Sequence, residues 1–181
     1  MKTELKVIFF DFDGTLVNLP IDYEKVREEL KELFSEYKIV SEFRPLLASI
    51  EELSKKVPKE PNLEKRALSI LDKFEIESLE NATPNQPGID MYLKFKKEGK
   101  TIVIVTRNCH LVVEMALNKF NIPMPKMILG RDDVDYVKPD ERHIGNVMKT
   151  LRIKPEECMI IGDSDIDIEL GKRTHVKAVK I

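Results

Sequence analysis

Two aspartates stand two residues apart in Phe10-Asp11-Phe12-Asp13-Gly14-Thr15-Leu16-Val17, directly after the apolar run Val7 to Phe10. Carboxylates this close repel, so they need a cation or a shared proton. Hard oxygen donors in such a pair suit magnesium. Three other places offer matching chemistry. Thr106 follows an apolar stretch and leads into Arg107 and Asn108. Lys138-Pro139 follows the acidic segment Asp132-Asp133-Val134-Asp135, and a further acidic run is Gly162-Asp163-Ser164-Asp165-Ile166-Asp167. Together these groups could carry out phosphoryl transfer. A carboxylate can attack phosphorus and form an aspartyl phosphate. The carboxylate two positions on can protonate the leaving oxygen and then take a proton from water. A hydroxyl, an ammonium and a divalent cation should surround the anionic group in transit. Thr106, Lys138 and magnesium held by Asp163 would supply one of each.

These residues are far apart in sequence, so the fold must bring them together. Leu5 to Phe10 is short, apolar on both alternating faces, and rich in β-branched and aromatic residues, as expected of a strand buried in a parallel sheet. Carboxylates are useful only at its carboxyl end, where open α/β sheets bind their ligands. Alternation points Asp11 and Asp13 the same way, and Gly14 permits a sharp turn. From Gly88 onward helix and strand alternate. Helices are predicted over 89–97, 111–120, 140–151 and from beyond Asp163 to about Arg173, and strands over 101–106, 126–129, 158–161 and 176–180. Such alternation implies a doubly wound, Rossmann-like parallel sheet of five strands. Four of its strands end in, or lead to, the groups named above.

Between the first strand and this run, Asp22 to Ala82 contains no strand-like stretch. Asp22 is a plausible N-cap for a helix through Val26, Leu30, Leu33 and Phe34. Ser41 could cap a second through Leu46, Ile50 and Leu53, stopped by Pro58, and a third starts near Pro61. Their apolar stripes read as the packing faces of a small bundle. The expected organisation is an α/β core of residues 1–16 and 87–181 with an all-helical insertion, 17–86.

Composition narrows the function classes. A formal net charge of −2 gives no electrostatic footprint for nucleic acid or an anionic membrane. No apolar run is long enough to cross a bilayer, and the start runs straight into the first strand without room for a signal peptide. The two cysteines, Cys109 and Cys158, form no metal or redox motif and read as buried thiols in a reducing cytoplasm. A cytoplasmic monomer or homodimer acting on a small molecule is the expectation, without nucleic-acid or membrane partners.

Asp11-Phe12-Asp13-Gly14-Thr15-Leu16-Val17 closely resembles the first motif of the haloacid dehalogenase-type superfamily, in its phosphatase branch. Thr106 resembles the second, Lys138-Pro139 the third, and Gly162-Asp163-Ser164-x-x-Asp167 the fourth, in the family's order across the core. The insertion sits where this family places a mobile cap, and its size is similar to the caps of phosphoglycolate phosphatase-like enzymes. The resemblance implies Mg2+ as cofactor and a phosphate ester as substrate. It also implies that Asp11 is the nucleophile and a metal ligand, and that Asp13 is the acid-base residue and ligates through its backbone carbonyl. Thr106 would bind phosphoryl oxygens, Lys138 would pair with nucleophile and phosphate, and Asp163 would ligate the metal directly. Asp167 would act behind these ligands or through water.

Other readings of single features are plainer. Asp132, Asp133 and Asp135 suit loop or capping roles. His110, His143 and His175 lack ligand spacing and suit surface or helix-end positions. Arg107, next to Thr106, is the candidate for a substrate contact beyond the phosphate. The expected function is a Mg2+-dependent phosphohydrolase of small phosphorylated metabolites. A sugar phosphomutase on the same scaffold shares every motif. A phospho-accepting receiver domain also uses Asp, Thr, Lys and magnesium, but it places its acceptor on a middle strand.

Overall fold

The computed structural model describes residues 4–181 and divides into two compact units. The larger comprises the chain up to Leu19 and Asn81–Ile181; the smaller is Pro20–Glu80.

In the larger unit, β1 (Val7–Phe10), β4 (Thr101–Val105), β5 (Met127–Leu129), β6 (Cys158–Gly162) and β7 (Lys177–Lys180) form one sheet in the order β5-β4-β1-β6-β7. Every pairing is parallel. All four residues of β1 are buried, as a central strand covered on both faces requires. Its alternation divides the core. Val7 and Phe9 pack with Val103, Val105 and Ile160, against Ile144 and Val147 of α6 (Arg142–Leu151) and Leu170 of α7 (Asp165–Thr174). Phe10 points to the other face, edge-on to Tyr92 of α4 (Gln86–Lys97), with ring centroids 5.4 Å apart. The remaining helix of this unit, α5 (His110–Lys119), follows β4. A two-stranded ribbon, β2 (Val17–Asn18) with β3 (Thr83–Pro84), closes where the chain leaves and re-enters the unit. Strands of two residues leave no periodic signal, and the sequence predicts none there. Among the described residues both cysteines are buried and neither is in a disulfide.

The smaller unit is helical: α1 (Tyr23–Ser35), α2 (Leu46–Lys55) and α3 (Leu63–Ser78). Asp22 does cap α1, its carboxylate accepting from the Lys25 N–H at 3.1 Å. Ser41 caps no helix; its hydroxyl accepts from the Phe43 N–H instead. The reason is Pro45, the residue at the N-terminal boundary of α2. A proline disfavours helical geometry in the residue before it, so the helix forms only after it. Phe34 and Phe43, both buried, pack with their rings tilted at 59° and centroids 5.1 Å apart. Among the described residues no helix is long and apolar enough to cross a membrane.

Candidate active site at the carboxyl edge of the sheet

The parallel register determines which residues meet. Phe10 lies opposite Ile104 on one side and Ile161 on the other. Asp11 therefore emerges between the ends of β4 and β6, and its N–H extends the ladder by donating to the Ile161 carbonyl at 2.8 Å. Just beyond β4 is Thr106, and just beyond β6 is Asp163. After Asp11 the chain folds tightly: the N–H groups of Thr15, Leu16 and Val17 all donate to the Phe12 carbonyl, and that of Gly14 donates to Val17. Gly14 takes φ +84°, and a Cβ there would overlap the Asp163 carboxylate. Only glycine lets this turn lie against that side chain. Asp13, half-buried, accepts from the Leu19 N–H at 2.8 Å.

The centre of the site is the buried Lys138 ammonium. Its Nζ stands 2.5 Å from Asp11 Oδ1 and 2.7 Å from Asp167 Oδ1. All three residues are less than a tenth exposed. Asp167 is held in turn from the first turn of α7, where its Oδ2 accepts from the Ser164 hydroxyl at 2.5 Å and from the Ser164 N–H at 3.3 Å. Carboxylate oxygens of Asp11, Asp163 and Asp167 all lie within 4.8 Å of one another. Burial raises the Asp11 carboxyl above the ordinary carboxylate range, and the adjacent Lys138 ammonium opposes that rise. Three carboxylates facing one ammonium leave the cluster negative, and its donors are hard oxygens. That combination fits a divalent cation such as magnesium.

Thr106 is fully buried. Its hydroxyl donates to Asn108 Oδ1 at 2.8 Å and accepts from the Asn108 N–H at 3.1 Å. Arg107 is exposed, and its carbonyl accepts from the Arg131 guanidinium. Asp132 and Asp133 serve the neighbouring backbone: Asp132 accepts from the His110 N–H that opens α5, and Asp133 from the Gly130 N–H. The structure thus brings Asp11, Lys138, Asp163 and Asp167 together directly. It places Thr106 and Asp13 on the adjoining loops and leaves the Arg107 side chain outward.

One residue of this neighbourhood stands differently from the sequence reading. His143 is at a helix end, as one of the two expectations had it, but it is not on the surface. It is 1% exposed in the first turn of α6, where Nδ1 accepts from the Lys138 N–H at 2.8 Å. Burial, its main perturbation, lowers its pKa to about 4. The available signal was its i,i+4 spacing with Val147, which puts the ring on the core face of the helix.

Residues 8–181 match the family described as haloacid dehalogenase-like hydrolase. A phosphoglycolate phosphatase of Aquifex aeolicus (strain VF5) is 28% identical over 177 residues, 96% of this chain and 83% of that protein. The pyrophosphatase PpaX of Bacillus mycoides (strain KBAB4) is 33% identical over 89 residues, 49% of this chain and 41% of that protein. Among solved structures, a haloacid dehalogenase-like hydrolase from Bacteroides fragilis superposes with a TM-score of 0.69 at 20% identity, over 98% of this chain and 87% of that one. CbbY from Rhodobacter sphaeroides, in complex with phosphate, gives 0.69 at 19% identity over 96% and 84%. At such identities the structures attest the fold.

Proposed function

The chain belongs to the haloacid dehalogenase-like hydrolases, and from that membership we propose a Mg2+-dependent phosphatase of small phosphorylated metabolites that works through a covalent phosphate on Asp11. The observation that carries this reading is the Lys138 ammonium fixed between Asp11 and Asp167, with Asp163 in reach, at the edge where parallel sheets bind ligands. The similarity to a phosphoglycolate phosphatase along nearly the whole chain supports a phosphate monoester as substrate.

In the first step an Asp11 carboxylate oxygen attacks phosphorus. A new O–P bond forms, the ester O–P bond breaks, and Asp13 gives its proton to the departing alkoxide oxygen. In the second step Asp13 takes a proton from water, whose oxygen attacks the same phosphorus. The acyl phosphate bond breaks, freeing phosphate and returning Asp11 as carboxylate. Lys138 offsets the charge of Asp11 and of the incoming phosphate, and the Thr106 hydroxyl turns from Asn108 to donate to a phosphoryl oxygen. Magnesium would be held by Asp11, Asp163 and the Asp13 carbonyl, with Asp167 behind them, and would neutralise charge on the transferring group.

The test is phosphate release from a panel of metabolites that includes phosphoglycolate, sugar phosphates, nucleotides and pyrophosphate, with and without Mg2+. Turnover is expected only with the metal. It is expected to vanish in Asp11→Asn and to fall by roughly 10² to 10⁴ in Asp13→Asn. Full activity in Asp11→Asn would reject the assignment. An isomerised product without phosphate release would make the chain a mutase, and a long-lived phosphoprotein would make it a receiver.

A further inference from the structure

Lys138 lies on the irregular segment between β5 and α6, and a lysine side chain has four rotatable bonds. Its Nζ is gripped by carboxylates, but its backbone needs a separate anchor if the ammonium is to face Asp11 rather than swing away. His143 is that anchor. Nδ1 accepts from the Lys138 N–H at 2.8 Å, while Nε2 faces the Leu129 carbonyl at 3.1 Å. A backbone N–H can only donate, so Nδ1 bears no proton and Nε2 carries it toward the carbonyl. The neutral Nε2–H tautomer satisfies both ends.

The Leu129 carbonyl has a second donor. It ends β5, and it also accepts from the Thr106 N–H at 3.1 Å. A continuous path therefore runs from the Thr106 main chain through the Leu129 oxygen and the His143 ring to the Lys138 main chain. Thr106 follows β4 and Lys138 lies beyond β5, so no strand pairing sets their separation. The ring itself is fixed, because the helix behind it packs Ile144 and Val147 into the sheet core. Rigid support of this kind is what keeps a reacting constellation in register.

We propose that His143 is a positioning residue for the phosphoryl-transfer site, its imidazole bridging the Lys138 N–H to the Leu129 carbonyl and so fixing Lys138 relative to Thr106. This rests on the phosphatase reading above. Both ring nitrogens face main-chain groups, so the effect of the side chain falls on turnover through Lys138 and Thr106. Glutamine presents one acceptor and one donor at nearly the same separation as the two ring nitrogens. Leucine fills much of the space and presents neither.

The experiment uses the full chain with Mg2+ and the best phosphate ester of the panel. His143→Leu is expected to lose about 10- to 100-fold in kcat, with a smaller change in KM. His143→Gln should recover most of that loss. In the same proteins, amide hydrogen exchange at Lys138 and Thr106 should quicken together in His143→Leu and return toward the parent rate in His143→Gln. Nitrogen chemical shifts of the parent ring should show a neutral imidazole with its proton on Nε2. A folded His143→Leu with kcat near the parent, a glutamine variant no better than leucine, or a parent ring protonated on Nδ1 would each overturn the proposal. If His143→Leu does not fold, the ring shifts and the glutamine variant still decide. A parent chain without phosphatase activity would strike the phosphatase reading, and with it the role in turnover, while the exchange rates would still report on the bridge.

Discussion

Replacing Lys138 by methionine puts the electrostatics of the site to a quantitative test. Methionine nearly matches the lysine stem in volume, so the substitution removes charge with little change in packing. It leaves Asp11 and Asp167, 7% and 2% exposed, facing one another without the ammonium that stands 2.5 and 2.7 Å from them. Removing one partner of a buried ion pair costs about 3–5 kcal/mol, because the remaining charge stays desolvated. The loss depends on pH. In the parent, burial already raises the Asp11 carboxyl, Lys138 opposes the rise and Asp167 adds to it. Without Lys138 the folded-state value climbs further above the unfolded value of 3.8. A carboxyl raised in this way contributes stability that is present below the unfolded pKa and lost as pH rises through the folded one. The deficit of Lys138→Met against the parent should therefore be small near about pH 6 and open only above the parent's folded value of about 7, reaching roughly 2–3 kcal/mol near about pH 9. Urea unfolding at both values in metal-free buffer measures it, and added Mg2+ should restore part of the stability by binding only the folded chain. A deficit equal at both pH values, or absent at the higher one, would refute the reasoning.

Other outcomes follow from the same geometry. Gly14→Ala should press its new methyl into the Asp163 carboxylate and raise the Mg2+ concentration needed for half-maximal turnover by about 10-fold or more, as outer-shell distortions do; an unchanged metal titration would contradict the placement of Asp163. His143 is held neutral, with its pKa lowered from 6.5 to about 4 mainly by burial. The unfolded chain therefore takes up the proton first, and stability should fall as pH drops through that window, by up to about 3 kcal/mol. A His143→Gln chain should show a flatter stability profile there by chemical denaturation. Phe10→Ala, at a fully buried ring packed edge-on to Tyr92, should lose about 3–5 kcal/mol in the same assay.

Much of the site is legible in the sequence because strand chemistry and strand ends are local signals. The run Val7 to Phe10 reads as a buried strand on composition alone, and an acidic pair at its end has few structural uses. Asp163 and Thr106 are marked in the same way, each standing just after an apolar run. The order β5-β4-β1-β6-β7, which decides that Asp11 lies between Thr106 and Asp163, is a matter of tertiary pairing that no single stretch records. Lys138 is marked only weakly, as an ammonium in the loop beyond β5, since one lysine on an irregular loop carries no periodic signal. His143 escapes because both its partners are main-chain groups, an N–H five residues earlier and a carbonyl at the end of another strand. Ser41 misleads for a similar reason. A capping residue is readable only if the following backbone is free to turn helical, and Pro45 withholds that freedom until Leu46.

The central claim is that Asp11 becomes covalently attached to phosphorus. The most direct measurement is acid quenching of the protein during turnover with Mg2+ and its best phosphate ester, followed by peptide mass analysis. A phosphoryl group on the peptide bearing Asp11, gained within one turnover and lost as phosphate appears, is the expected result. Phosphate released at full rate with no labelled peptide, or with the label on another residue, would contradict the account.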